Sequence, residues 1–523
     1  MSSNGRQTPL GANRRVLFIT ALMALANTQY GFDASVIASF QAMHGFLEIF
    51  GYPLPPPKTG YEISTKTQQL ITSLLNVGTI VGVLFTGPFS RVFGRRAGIW
   101  AGALLGFAGC AAQLASKSVA GISVGRALVG ASNAFFITFA NAYIAESVPA
   151  HLRSICSGVF GVTTTVGGLL GTIVPYLTKD VPGRLCYQIA LACLFVFPLC
   201  LAVGTIFIPE SPRWLLVQGR TEEAERALAT LRDNSLTPTQ FHEELAEMEH
   251  GIQEEKALAS STSLMASLAD MFRGTDRRRT LLCIGTVTSR AASGVWVFIS
   301  YGTYYYKQAG IHDPFAMSMY NLSAAIIGAI AAVLCSHLWL GRRTMILFAT
   351  GAAVLTMIAA AVGGTVAPSP GNQPAAKSFV AFSVVYNVLY GSFAGAVTWP
   401  ISAEVVSSRL RVVTLSVATA IDYIFAWLTA FCSPYFINPA SLNWGVKYCW
   451  LWAGSNALAF LFFYFLLPEM KGRSLEEIDE MFAKRVRVKY FKTYECDCSR
   501  VERDVAETRV EESKPYVSWS RDV

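Results

Sequence analysis

The chain has 523 residues, of which 52% are hydrophobic and only 15% are charged. Soluble domains normally carry about a quarter charged residues, so this composition excludes an ordinary soluble protein. The net charge of +8 does not indicate nucleic-acid binding, because the basic residues lie next to the apolar segments. Eleven cysteines are scattered without metal-ligand spacing, and we expect neither a metal site nor a cofactor.

Twelve apolar segments follow one another, each near the ~20 residues that cross a bilayer as a helix. They lie at roughly 16–38, 67–90, 97–116, 121–143, 154–177, 187–208, 280–306, 315–338, 344–366, 378–401, 412–436 and 446–467. They predict an all-α membrane protein of about twelve transmembrane helices in two six-helix halves. The predicted domains are a cytoplasmic N-terminus (1–15), one half (16–208), a cytoplasmic helical linker (209–279), the second half (280–468) and a cytoplasmic tail (469–523).

The linker between the halves is polar, and apolar residues recur in it at spacings of three and four. This periodicity predicts short amphipathic helices. Two arrangements remain open for them. The linker is either solvated and acidic, or its helices dock on the bundle and on the basic loops.

Basic residues flank the same end of the segments throughout, from Arg14 and Arg15 to Lys471 and Arg473. Loops rich in lysine and arginine stay on the cytoplasmic side of a membrane. We therefore expect both termini in the cytoplasm of a multi-pass plasma-membrane protein. The expected partners are a small-molecule substrate, protons and the lipid bilayer, with a monomeric chain and no nucleic acid.

Three charged clusters occur in the same order in both halves. The first half has GPFSRVFGRR (87–96), AESVPAHLR (145–153) and PESPRW (209–214). The second half has LWLGRR (338–343), AEVVSSRLR (403–411) and PEMKGR (468–473). A duplicated membrane bundle with charged clusters on one face is typical of a transporter.

Together with GFD (31–33), GRALVG (125–130) and WPISAE (399–404), these clusters resemble the fungal members of the sugar porter family of the major facilitator superfamily. The opening of the chain is most similar to alpha-glucoside and hexose proton symporters. The resemblance covers nearly the whole chain. It implies the major facilitator fold, with a substrate site midway between two halves that rock around it.

The resemblance also implies a cytoplasmic gate of arginines and glutamates, which pair when the inner side is closed and separate when it opens. The implied gating residues are Arg95, Arg96, Glu146, Arg153, Glu210, Arg213, Arg342, Arg343, Glu404, Arg411 and Glu469. The alternative is that the arginines are topology signals alone. The family usually has an acid ahead of each GRR, where this chain has Ser90 and Leu338. We therefore expect a weaker gate, or one carried by other acids.

Ionisable residues inside apolar segments are costly in lipid and indicate function. Asp33 lies deep in the first segment and Arg126 begins the fourth. The resemblance to proton-coupled sugar porters implies that Asp33 takes the proton and that Arg126 tunes its protonation. A permanent structural ion pair is the alternative.

In the substrate cavity the chain departs from the family. Where sugar porters carry two glutamines and an asparagine on segment 7, it has Arg290, Ala291 and Trp296, and Asp422 replaces an asparagine of segment 11. The predicted substrate-binding residues are Arg290, Trp296, Tyr301, Trp399, Asp422 and Asn456. Either Arg290 and Asp422 pair with each other, or Arg290 holds an anionic substrate group. Trp296 either stacks on the cargo or only packs between helices.

The predicted function is secondary active transport of a sugar or sugar-like molecule by alternating access, coupled to protons through Asp33. The chain is expected not to be an enzyme, and it lacks the GxxxxGK[ST] sequence of ATP-driven pumps. One alternative is a transporter or exporter of a non-sugar organic acid or secondary metabolite. Another is a non-transporting nutrient receptor, for which we would expect a very long signalling tail.

Overall fold

The structure is a computed structural model that describes residues 14–56, 60–232, 237–260, 264–338, 340–366, 372–407, 409–471, 473, 475–494 and 496. The first half contains α1 (Arg14–Phe40), α2 (His44–Phe50), α3 (Thr65–Ala115), α4 (Val119–Ser147), α5 (Ala150–Thr178), α6 (Leu185–Cys193) and α7 (Val196–Gly204). Two short strands, β1 (Tyr52–Pro53) and β2 (Tyr61–Glu62), pair antiparallel between α2 and α3.

The linker forms α8 (Pro212–Val217), α9 (Thr221–Arg232), α10 (Pro238–Ser260) and α11 (Leu264–Asp270). The second half contains α12 (Asp276–Ala292), α13 (Val295–Gln308), α14 (Pro314–Leu338), α15 (Arg342–Val366), α16 (Gln373–Tyr386), α17 (Phe393–Val405), α18 (Arg411–Ile437) and α19 (Cys449–Leu466). A π-helical turn, Asn387–Ser392, joins α16 to α17, and α20 (Leu475–Ala483) follows the bundle.

Helices occupy all twelve predicted segments, although ten helical stretches in the described residues are long and apolar enough to cross a membrane by themselves. One of the ten, α3, has 51 residues and turns at Gly94. Its length of about 75 Å exceeds twice the thickness of the hydrocarbon core, so it supplies two segments. α1 lies outside the ten because it carries Asn27, Gln29 and Asp33, and all three are buried inside the protein.

The seventh segment is broken at Gly294, between α12 and α13. Gly294 has a φ of 88°, a left-handed conformation that favours glycine. A Cβ atom there would lie 2.6 Å from Cγ of Trp452 on α19. The carbonyl of Ser293 accepts hydrogen bonds from Oη of Tyr386 at 3.0 Å and from Nδ2 of Asn456 at 2.9 Å. Neighbouring helices therefore satisfy the backbone at the break, as a break inside a membrane requires.

The main helix contacts between the two halves are those of α1 with α13, α5 with α14, and α3 with α18, and α5 also contacts α17. We call the face that carries α8 to α11 the linker face and the opposite face the far face. On the far face, Gln41 Nε2 donates to the carbonyl of Ser300 at 3.2 Å. Asn438 Nδ2 donates to the carbonyl of Ile63 at 3.1 Å and to Gln68 Oε1 at 3.2 Å. These bonds cross between the halves, and they close the far face.

The linker helices α8 and α9 dock on the first half, which decides between the two arrangements for this part of the linker. Trp214 Nε1 donates to the carbonyl of Ser90 at 2.9 Å. Arg232, only 3% exposed, donates to the carbonyl of Ser147 at 2.9 Å and pairs with Glu244 of α10 at 2.5 Å. A buried arginine with two partners fixes the end of α9 against the end of α4.

Candidate transport site

A buried ion pair joins α1 to α4 inside the first half. Arg126 Nη1 lies 2.5 Å from Asp33 Oδ1, and the two side chains are 1% and 0% exposed. Arg126 Nε also donates to the carbonyl of Ile71 on α3 at 3.2 Å. The second carboxylate oxygen of Asp33 is buried and has no hydrogen-bond partner among the described residues. The pair therefore has one strong contact and one unused acceptor.

A cavity of about 20 Å³ lies beside this pair, at the contact between the halves. It has room for about one water molecule. The first half contributes Tyr30, Asn76 and Arg126 to its wall, and α13 of the second half contributes Trp296 and Ser300. The guanidinium of the buried pair thus borders a space that residues of both halves enclose.

A second ion pair lies in the second half, at Arg290 of α12 and Asp422 of α18. Arg290 Nη2 is 3.1 Å from Asp422 Oδ2. The Arg290 side chain is 32% exposed, whereas that of Asp422 is 2% exposed. The sequence left open whether Arg290 pairs with Asp422 or holds an anionic substrate group. In the structure Arg290 pairs with Asp422, and one side of its guanidinium remains exposed.

Two tryptophans flank the Arg290 guanidinium. Its central carbon lies 5.5 Å from the ring centre of Trp296 and 5.8 Å from that of Trp399. Both distances lie within the range of a cation–π contact. Trp296 is buried beside Tyr30 of the other half, and Trp399 is 40% exposed. Trp296 therefore packs between the halves and contacts the charged group as well.

The other two predicted substrate-binding residues are committed to bonds within the protein. Tyr301 is buried, and its hydroxyl donates to the carbonyl of Ala430 at 2.5 Å. Asn456 Nδ2 donates to the carbonyls of Ser293 and Trp452, at 2.9 and 2.8 Å. Both residues support the broken seventh segment, and a role in substrate binding remains a prediction for each.

Sequence reasoning missed several residues of this region. Tyr30 lines the cavity between the halves. Tyr390 is buried and Tyr423 is partly buried, and both lie within electrostatic range of Arg290 and Asp422. A signal for Tyr30 was present, because a residue three positions before Asp33 lies on the same face of a helix. No comparable spacing pointed to the other two tyrosines.

On the linker face of the first half, Glu146 binds Arg95 through two hydrogen bonds. They run from Arg95 Nε and Nη2 to the two carboxylate oxygens, at 2.9 and 2.6 Å. Glu210 accepts the backbone N–H groups of Arg95 and Arg96 at 3.1 and 3.2 Å. Gly94, with a φ of 87°, makes the turn that exposes these two N–H groups. A carboxylate is favourable where N–H groups begin a helix.

The second half repeats this arrangement in outline. Arg342 forms an ion pair with Glu404, as Arg95 does with Glu146. Glu469 accepts the N–H groups of its own neighbours Met470 and Lys471, at 3.1 and 3.2 Å. The pairs Arg95–Glu146 and Arg342–Glu404 each lie within one half.

The remaining predicted gating residues have separate positions. Arg343 donates to the carbonyl of Tyr464 at 2.8 Å. Arg213 lies in the first turn of α8 and Arg411 begins α18, and both have interaction partners. The side chain of Arg153 lies outside the described residues.

Ser90 stands where the family usually has an acid, and its backbone carbonyl contacts residues of the charged cluster. Its carbonyl accepts Arg95 Nη1 at 3.3 Å and Trp214 Nε1 at 2.9 Å. Arg95 therefore keeps one carboxylate partner, Glu146, and adds a neutral carbonyl. A weaker gate, or one carried by other acids, remains a prediction.

An ion pair that the sequence did not suggest crosses between the halves on the far face. Lys179 Nζ, after α5, lies 2.7 Å from Asp313 Oδ2, before α14. Burial alone would raise the pKa of Asp313, but the hydrogen bond from Lys179 and the N–H of Ala316 hold it below its usual value. The hydrogen bond to Asp313 raises the pKa of Lys179, and it outweighs the opposing effect of burial.

Comparison with known proteins places the chain among transporters. The family described as "Sugar (and other) transporter" matches residues 19–482. "Major facilitator-type transporter ecdD" of Aspergillus rugulosus is 26% identical over 476 residues, which cover 89% of this chain and 87% of that protein. "Hexose transporter HXT8" of Saccharomyces cerevisiae is 27% identical over 492 residues, 91% of this chain and 83% of that one. "High glucose sensor RGT2" of the same yeast is 26% identical over 485 residues, 91% of this chain and 62% of that one.

Among solved structures, the xylose transporter XylE from E. coli, in a partially occluded inward open conformation, aligns with a TM-score of 0.69. The two chains are 18% identical, and the alignment covers 87% of this chain and 100% of that one. At this identity the likeness establishes the fold alone, which is that of the major facilitator superfamily. The family match, by contrast, extends over most of the chain. The chain therefore belongs to the sugar porter family, as a multi-pass membrane transporter and not an enzyme.

Proposed function

We propose that the chain is a secondary active transporter that moves a sugar or sugar-like small molecule by alternating access, coupled to protons through Asp33. In this proposal the two halves rock around a site near Trp296 and Arg290, and Arg126 tunes the protonation of Asp33. The linker face is cytoplasmic, as are both termini, and the chain acts as a monomer in the plasma membrane.

The observation that carries the proposal is the buried pair of Asp33 and Arg126 beside a cavity that both halves enclose. Burial favours the protonated form of a carboxylate, and a nearby guanidinium favours the charged form. The balance therefore depends on where Arg126 points. A movement of α13 away from α1, which would widen the cavity and admit the cargo, changes the surroundings of Arg126 and thereby the affinity of Asp33 for a proton.

Alternating access is supported by the distribution of contacts over the two faces. On the far face, the bonds of Gln41, Asn438 and Lys179 join one half to the other. On the linker face, the pairs Arg95–Glu146 and Arg342–Glu404 each stay within one half. We infer that the structure is a state closed on the far face. In this state Arg95 and Arg342 bind glutamates of their own half, and we propose that they bind residues of the opposite half when the linker face closes.

Such pairs contribute little individually, about 0–1 kcal/mol each at partly exposed positions. Several that change partner together can still bias an equilibrium between two states, since only the difference between the states matters. This is the role we propose for the predicted gating residues.

The sugar class of the cargo is supported by names among the relatives. HXT8 is named a hexose transporter, and a solved structure of XylE is described as a proton:xylose symporter. One specific observation favours the second candidate, an organic acid or acidic metabolite as cargo: Arg290 is 32% exposed in the middle of the bundle. The receptor alternative is represented by RGT2, which is named a sensor.

Uptake in a yeast strain without its own hexose transporters tests the proposal. The strain would express the native chain, Asp33→Asn, or Asp180→Asn, whose carboxylate is exposed at the far face and serves as the matched control. We expect accumulation of a labelled sugar or sugar-like molecule that is faster at external pH 5 than at pH 7.5. Asp33→Asn should abolish this pH dependence and Asp180→Asn should keep it. Surface expression without uptake of any labelled compound would contradict transport and favour a receptor.

A further inference from the structure

Arg290 is the one cation that the described contacts place in the central region of the second half with an open side. Its described ion-pair contact is a single one, from Nη2 to Asp422 Oδ2 at 3.1 Å. A guanidinium carries five N–H donors in a planar fork that matches a carboxylate with two parallel bonds. Several N–H donors of Arg290 therefore have no described ion-pair partner, and those on its exposed side can bind a second carboxylate.

Two buried polar atoms beside it also lack partners. Asp422 Oδ1 and Trp296 Nε1 are buried, and neither has a hydrogen-bond partner among the described residues. A buried polar group without a partner destabilises the protein, because it has lost its hydrogen bonds to water. An acceptor oxygen supplied by a ligand would satisfy the indole N–H, and protonation of Asp422 would remove the charge of its carboxylate.

We propose, resting on the transport function proposed above, that the cargo carries a carboxylate that binds the open side of Arg290 and displaces Asp422, which takes up a proton as it is displaced. The cargo brings one negative charge and the proton one positive charge, so the site keeps its net charge. Trp296 and Trp399 contact the body of the cargo. Asp422 is thus a stand-in for the cargo carboxylate in the empty transporter.

The proton is required by the burial of Asp422. If its carboxylate stayed ionised at 2% exposure after losing Arg290, the protein would hold a buried charge without a partner. Removing one partner of a buried pair is strongly destabilising, because the other charge is left unpaired. The titratable groups around Asp422 are few, and those described are Arg290 of α12, Tyr30 of α1, Tyr390 of the π-helical turn and Tyr423 of α18. Apart from Arg290, none of these four carries a positive charge that could replace the lost partner.

A matched ligand pair tests the proposal on the purified full chain. D-glucuronate and D-glucose have the same ring and differ in a carboxylate, and D-gluconate and benzoate extend the set of anions. Binding would be followed by quenching of tryptophan fluorescence at pH 5.5 and 7.5. The variants are Arg290→Gln, Arg290→Lys, Asp422→Asn and the double variant Arg290→Gln/Asp422→Asn, which removes both charges together. Arg226→Gln, an exposed arginine of α9, is the matched control.

We expect at least one of the carboxylates to bind ten times more tightly than D-glucose to the native chain, and more tightly at pH 5.5 than at 7.5. Arg290→Gln and the double variant should lose this preference, Arg290→Lys should keep part of it, and Arg226→Gln should keep all of it. Asp422→Asn should bind the carboxylate tightly at both pH values. Because the double variant leaves no buried charge unpaired, it keeps the comparison valid if Arg290→Gln fails to fold.

The proposal is overturned if D-glucose binds as tightly as every carboxylate, if Arg290→Gln keeps the preference, or if no carboxylate binds to the native chain or to Asp422→Asn. Uptake in yeast separates this failure from failure of the transport function. Asp33-dependent uptake of a neutral sugar without carboxylate binding would refute only the carboxylate. Tight carboxylate binding without uptake would refute only transport.

Discussion

The substitution Asp33→Asn leaves the Arg126 guanidinium buried beside a neutral amide. Arg126 is 1% exposed, so bulk water cannot solvate the guanidinium after the carboxylate is lost. Breaking a buried pair by removing one partner costs about 3–5 kcal/mol, and we expect a loss of stability of that size. Arg126→Gln should cost at least as much, because it also removes the hydrogen bond to the carbonyl of Ile71 at 3.2 Å.

The double variant Asp33→Asn/Arg126→Gln places two neutral amides at the same positions and leaves no unpaired charge. We therefore expect it to lose clearly less stability than the sum of the two single variants. Residues in direct contact typically show coupling energies of about 0.5–3 kcal/mol in such cycles. The distance of 2.5 Å and the complete burial of both side chains place this pair toward the upper end.

A thiol-reactive fluorescent dye measures unfolding here, since Cys110, Cys283 and Cys449 are buried in the folded chain and react when it unfolds. The apparent unfolding temperatures of the four proteins give the cycle, with Asp180→Asn as the control for a surface carboxylate. If the two single losses simply add in the double variant, then Asp33 and Arg126 do not act as a pair, and the reasoning is refuted.

The remaining predictions concern the break in segment 7 and the two faces. Gly294→Ala should lower the stability of the fold by more than the roughly 1–2 kcal/mol of a left-handed residue, because its Cβ would lie 2.6 Å from a tryptophan. Gly302→Ala, where a Cβ has open space, is the control and should leave uptake unchanged. Equal uptake by the two variants would contradict a fixed break at Gly294. Asp313→Asn should shift the equilibrium toward an open far face by no more than fivefold, since its ion pair with Lys179 is partly exposed, as spin-label distances between the halves would report. The pKa of Asp313 in the folded chain is held below its unfolded value of ~4. The ion pair therefore stabilises the closed far face fully above pH ~4, and this stabilisation is lost as the pH falls through the folded pKa. We accordingly expect spin-label distances between the halves to stay constant from pH 5 to 8, and a change within that range would contradict the assignment. Glu146→Gln should slow cargo release at the linker face without changing cargo affinity, and unchanged release rates would argue against a gating role.

The sequence predicted the helical segments because each is a long apolar run whose ends carry charge. It also marked the charged residues at the ends of the helices in both halves, but it did not predict which arginine pairs with which glutamate. Glu146 and Glu404 stand at the same place in the two repeats, and the same contact to an arginine forms in each. The repeat in the sequence shows that the two positions correspond, and the structure supplies the partner at each of them.

The pairing of Asp33 with Arg126, and of Arg290 with Asp422, was also within reach of the sequence. An isolated charge in a membrane segment needs a partner, and few candidates were available in each half. The sequence could not predict how far each of these charged side chains is exposed. That Arg290 is 32% exposed while Asp422 is 2% exposed depends on the packing of several helices around them.

Contacts between the halves were beyond prediction for a physical reason. Lys179 and Asp313 are 134 residues apart, in loops whose composition is ordinary for the exposed end of a helix. Their encounter follows from how the two bundles are placed, and no local pattern encodes it. The docking of α9 through Arg232 is similar, because a solvated helix and a docked one share the same apolar periodicity.

The most direct test of the central claim is uptake by the purified protein in liposomes with an imposed proton gradient and no other energy source. Labelled cargo would be supplied outside vesicles whose lumen is more alkaline than the medium, with Asp33→Asn and Asp180→Asn in parallel. The account predicts accumulation above the outside concentration by the native chain and by Asp180→Asn, and only equilibration by Asp33→Asn. Accumulation by Asp33→Asn that still follows the proton gradient would contradict coupling through Asp33.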